Sequence, residues 1–172
     1  MKKDKLIIPI SEDEITLIQP NNITFGKYSL TPIQENVLTL IVDVLQTHMT
    51  SDKKISKDLF NQPYIEIKCD DAGGRNNKAY VINDIRNMID KKFSFKWTHE
   101  LNGEELETEG TIITTFHNRK GTNSVIINFN PWAIPYLVYY GVGVGGTVFN
   151  KSIALGLRGE YAKRIYKMIC RW

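Results

Sequence analysis

The chain has 172 residues, 42% hydrophobic and 24% charged, with a formal net charge of +3. That length suits one domain with a real core, the ordinary apolar fraction argues against an intrinsically disordered polypeptide, and no apolar run reaches the length that spans a bilayer. Cys69 and Cys170 form no paired motif and read as small buried hydrophobes, while Leu6–Ile10 is too short for a signal-peptide core, so the expected compartment is the cytoplasm, without a membrane partner.

Residues 1–22 are polar and irregular apart from Leu6–Ile10 and Ile15–Ile18. They read as an N-terminal arm or an edge strand, leaving 23–172 as the folded domain. The first long helix is expected to start at Thr31. Thr31 suits the N-cap, Pro32 the first helical position and Gln34 the reciprocal capping place. Ile33, Val37, Leu40, Ile41, Val44 and Leu45 then form an apolar stripe. Pro63–Cys69 alternates as a half-buried strand does, and Asp70–Asn77 has loop chemistry. A second helix is expected over Lys78–Lys92, capped by Asn76 or Asn77. Its apolar residues Val81, Ile82, Ile85, Met88 and Ile89 recur at three- and four-residue steps.

Three strand-like runs follow, Lys92–His99, Gly110–Asn118 and Asn123–Asn130. The four glutamates of Glu104–Glu109 read as one acidic loop, and Arg119 and Lys120 stand at a hairpin tip. A helix followed by such a meander is the sequence shape of a winged helix. The expected class is therefore α+β, with a three-stranded antiparallel wing sheet and flanking helices. Pro131–Tyr140 reads as a short helix and Gly141–Gly146 as a glycine-rich break. The last helix, from Arg158 or Gly159 to Trp172, is expected to bury Tyr161, Ile165, Met168, Ile169 and Trp172 and to expose a basic side. The chain stops inside that helix, which reads as a domain boundary.

Catalytic chemistry finds little support. Gly141–Gly146 satisfies G-x-G-x-x-G, yet Thr147-Val148-Phe149 reads extended where a helix should open, and no acid stands at the ribose position. His48, His99 and His117 fall in separate elements, so no metal site is expected. No serine or cysteine has a local activating pattern. The expectation is a protein that is not an enzyme and needs no cofactor. Basic charge is clustered instead: Arg75–Lys96 holds six cations against Asp84 and Asp90, and Lys151–Trp172 holds six against Glu160. The candidate DNA-binding residues are Arg75, Asn77, Lys78, Arg86, Lys91, Lys96, Arg119 and Lys120. Lysine and arginine there neutralise phosphates, while asparagine reads base edges. A solvated basic face, and for Asn77 a simple cap, are the competing readings.

Three segments carry a resemblance. Asn22–Val42, N-I-T-F-G-K-Y-S-L-T-P-I-Q-E-N-V-L-T-L-I-V, resembles the opening of iteron-type plasmid replication initiators. Phe129-Asn130-Pro131 with Ile134-Pro135-Tyr136-Leu137 resembles their stretch after the wing. Tyr161, Ala162, Arg164, Ile165 and Tyr166 resemble their closing pattern. The resemblance implies the first of two tandem winged-helix domains, acting in replication initiation. Its implied partners are double-stranded origin DNA, a second copy of itself in an autorepressor dimer, and host replication proteins. One departure stands out: Asp70–Asn77 leaves no room for the leading helix of a helix-turn-helix, which favours phosphate contact and dimerisation over base readout. A stand-alone transcriptional repressor and a protein–protein module without DNA binding are the alternatives.

Overall fold

A computed structural model describes residues 15–50, 62–73, 77–98, 103–138 and 145–171. Strand β1 (Thr16–Pro20) leads into a short helix α1 (Asn21–Phe25) and then the long helix α2 (Pro32–Thr50). The start of α2 is a reciprocal capping box. Gln34 N donates to Thr31 Oγ1 at 3.2 Å, and Thr31 N donates to Gln34 Oε1 at 3.1 Å, so two otherwise orphaned amides are satisfied. Gln34 Nε2 also donates to the Asp84 carbonyl at 2.9 Å, which ties this cap to the next long helix. Val37, Leu38, Ile41 and Leu45 form the buried side of α2.

Strand β2 (Tyr64–Lys68) is followed by a turn at 69–73 and by helix α3 (Lys78–Arg86), which ends in a 3-10 turn at Asn87–Asp90. Among the described residues between β2 and α3 there is no helix, as the crowded sequence there suggests. Strands β3 (Lys92–Thr98), β4 (Glu105–Thr111), β5 (Ile113–Asn118) and β6 (Ser124–Phe129) come next. Helix α4 (Ala133–Val138), strand β7 (Gly146–Asn150) and helices α5 (Lys151–Gly156) and α6 (Glu160–Ile169) complete the described chain. Thr16–Pro20, which the sequence leaves open between arm and edge strand, pairs antiparallel with β7.

The three-stranded antiparallel sheet has the order β2-β6-β5, and β3 pairs with β4 in a separate two-stranded sheet. This corrects the expected membership of the wing sheet. The run Gly110–Asn118 is not one strand: it breaks between Thr111 and Ile113 and changes sheets there. Ile112 and Ile113 are both buried. Two consecutive inward residues cannot sit on one pleated strand, whose side chains alternate. The acidic loop is also corrected, because Glu105–Thr111 is strand β4. Its glutamates lie on one exposed face and Leu106 and Thr108 on the other. Lys92 Nζ lies 2.8 Å from Glu109, and Ser94 Oγ donates to Glu107 at 3.2 Å, so cross-strand partners offset the poor strand propensity of glutamate. Opposite that face Trp132 lies against Gly110, where an added Cβ would fall 2.1 Å from the ring.

Helix α6 reverses its expected orientation. Tyr161, Ile165 and Ile169 are 75, 52 and 65% exposed, whereas Lys163 and Lys167 are 2% exposed. Lys163 Nζ donates to the carbonyls of Ala154 and Leu155 at 2.7 and 3.0 Å. Lys167 Nζ pairs with Glu35 at 3.2 Å and stands 5.3 Å from the centre of the Phe149 ring. Arg164 donates to the Tyr28 carbonyl at 2.9 Å and lies over the Tyr28 ring. The long cationic side chains thus supply both apolar stems and hydrogen-bond donors to the interior. Burial, with Lys167 adding to it, lowers the Lys163 pKa to about 8. Lys167 is also lowered by burial, which Glu35 opposes. Burial, reinforced by Glu35, raises the Tyr28 phenol against Arg164.

Candidate nucleic-acid interface

Helix α3 lies along the β5–β6 hairpin. Asn77 caps it, accepting from Tyr80 N at 3.1 Å. At that end the Lys78 ammonium donates to the Thr122 carbonyl in the hairpin turn. At the other end the Arg86 guanidinium stands 5.4 Å from the centre of the Phe116 ring of β5. The turn is held by Thr122 Oγ1 and N, which donate to the Arg119 carbonyl at 2.9 and 3.2 Å. Gly121 there has φ of 79°, a conformation that residues with a Cβ rarely adopt.

Arg119 reaches across the outer face of the sheet to Glu66 of β2 at 2.6 Å, and Ser124 Oγ donates to the same carboxylate oxygen at 2.5 Å. The Ser124 hydrogen bond, more than Arg119, holds the Glu66 pKa below its ordinary value. Lys120 is exposed at the tip and makes no ion pair among the described residues. His117 pairs with Asn128 at 3.1 Å on that outer face. Among the described residues no group of acids, histidines and cysteines could hold a metal, and no helix is long and apolar enough to cross a membrane.

The structure therefore brings Asn77, Lys78, Arg86, Arg119 and Lys120 to one edge. Lys91 is half-buried after the 3-10 turn, with its amide donating to the Met88 carbonyl at 3.1 Å. Lys96 belongs elsewhere. It lines a cleft of about 390 Å³ together with Lys27, Arg171, Phe25 and Glu107. Arg75, Asn76, His99, Trp172 and residues 141–144 of the glycine-rich break lie outside the described residues. Sequence reasoning missed Lys27 and Arg171 as neighbours of Lys96. Lys27 exchanges main-chain hydrogen bonds with Ser94 at 2.7 and 3.0 Å, a pairing with no side-chain signature.

A helix laid against a hairpin, with β2 completing the sheet behind them, defines the winged-helix class. The chain belongs to the family Initiator Replication protein, WH1, which it matches over residues 16–170. Among solved structures it is similar to the WH1 domain of MSBI1.176, a replication protein isolated from a multiple sclerosis patient. Identity is 16%, coverage is 62% of this chain and 79% of that one, and the TM-score is 0.41. No curated protein matches the chain.

Proposed function

We propose that this chain acts in starting plasmid replication as the first of two winged-helix domains, with residues before the folded unit forming an arm. In this reading it grips duplex phosphates through Lys78, Arg86, Arg119 and Lys120, with Arg75, Lys91 and Lys96 as further contacts. The Lys78–Thr122 hydrogen bond carries the reading, because it ties the start of α3 to the tip bearing Arg119 and Lys120. Asn77 is occupied as a cap, so the domain supplies affinity and register more than base choice. The reading requires no catalytic residue and no cofactor.

Dimer formation is part of the proposal. Among the described residues strand β2 is an edge of its sheet, where a twin strand could add across a two-fold axis. Host replication proteins would be further partners. Titration against duplex DNA over a salt series tests the phosphate contacts. Each neutralised phosphate adds roughly 0.9 to the slope of log affinity against log salt, so R119E/K120E is expected to reduce that slope by about two. Unchanged binding by that variant would remove the hairpin tip from the interface. Absence of any binding at low salt would favour a protein–protein module.

A further inference from the structure

We infer that the cleft between α1, β3 and the residues just after α6 binds a small nucleotide with a terminal phosphate, a nucleoside monophosphate. Its volume is about 390 Å³, within the range of small-molecule sites. Among the described residues that line it, Lys27, Lys96 and Arg171 are cations and Glu107 is the one carboxylate, which leaves a net charge of +2. Lys27 and Lys96 are exposed and form no ion pair among the described residues. Glu107 stands opposite Lys96 in the β3–β4 register, yet it accepts from Ser94 Oγ. Both ammonium groups are thus left to meet an anion.

Backbone contacts fix where these cations stand. Gly26 approaches the Asn22 carbonyl so closely that an added Cβ would fall 2.7 Å from that oxygen. Lys27 then exchanges main-chain hydrogen bonds with Ser94, two residues before Lys96. Arg171 stands over the Phe25 ring, 4.8 Å from its centre. Phe25 is 41% exposed, so the pair offers a platform, because bases stack on aromatic rings and on guanidinium planes. Charge selects the kind of phosphate. A terminal phosphate carries about −1.5 to −2 at neutral pH, close to what the cleft leaves uncompensated, whereas each phosphate within a strand carries a single negative charge. The inference does not rest on the duplex reading, in which Lys96 is only a further contact.

Calorimetric titration of the full chain with AMP tests it. One AMP is expected to bind per chain, and K27E/K96E should weaken it by at least about tenfold, as loss of charge-assisted hydrogen bonds does. R119E/K120E changes the net charge by the same amount outside the cleft and should leave AMP affinity within about twofold. Inorganic phosphate is expected to bind at least about fivefold more weakly than AMP, because it has no base to stack. If K27E/K96E lowers the urea midpoint, K27Q/K96Q must still weaken AMP by at least about threefold. Equal losses in K27E/K96E and R119E/K120E would reduce the effect to net charge and overturn the inference. So would absence of AMP binding at millimolar concentration. An oligothymidylate without terminal phosphates that displaces AMP at lower nucleotide concentration would also overturn it, by assigning the cleft to a strand.

Discussion

Glu35 and Lys167 meet at 3.2 Å with both side chains almost wholly shielded from water. Breaking such a pair strands a charge, which is far worse than removing both partners. Glu35→Gln is therefore expected to destabilise the fold by about 3–5 kcal/mol in urea titration, whereas E35M/K167M should stay within about 2 kcal/mol of the starting protein. Lys163 makes a complementary prediction in pH. Burial lowers its pKa to about 8 from an ordinary 10.5. Between those values the unfolded chain keeps the proton that the folded chain has released, so stability rises as pH increases from about 8 to 10.5, and below that window the penalty is fully present. Lys163→Met should make the stability curve shallower there than in the unaltered protein, read by chemical denaturation at several pH values. An equal slope in both would mean the amine is not held as described. The surface pair Arg119–Glu66 is half-exposed, and its loss should change stability by no more than about 1 kcal/mol, so effects of R119E/K120E on DNA are readable without unfolding.

At the scale of elements, sequence logic succeeded where a local rule closes on itself. Thr31 and Gln34 cap each other within one turn, and Asn77 caps α3 within another, so both helix starts were legible. It failed where two placements satisfy the same periodicity. The spacing of Tyr161, Ile165 and Ile169 puts them on one face but does not say which way that face turns. Carbonyls at the end of α5 and the carboxylate of Glu35 drew the lysine face inward instead. Strand membership failed at Ile112-Ile113, whose doublet breaks the alternation and moves the chain from one sheet to another. The contact of Trp132 with Gly110 clamps α4's approach to the β3–β4 hairpin. Gly110→Ala should destabilise the protein by about 1–3 kcal/mol, measured by thermal or urea unfolding, because the ring has to shift.

For the molecule as a whole, the candidate site was legible as a list and only partly as a place. Lys78, Arg86, Arg119 and Lys120 were brought together by α3 lying on the hairpin, while Lys96 fell beside Lys27 and Arg171, partners more than sixty residues away from it in sequence on either side. The dimer proposed through β2 predicts a mass that doubles with concentration in sedimentation, and a monomer at every concentration would count against it. Helix α6 carries a further consequence for the protein in solution. Its two interior lysines are amines sealed from reagent as long as the helix stays seated. An amine-acylating probe should mark Lys120 within its first exposure and reach Lys163 and Lys167 only when the helix lifts away. The lag between those adducts, followed by mass spectrometry, would then serve as an internal stopwatch on that lifting, without any label introduced by mutation.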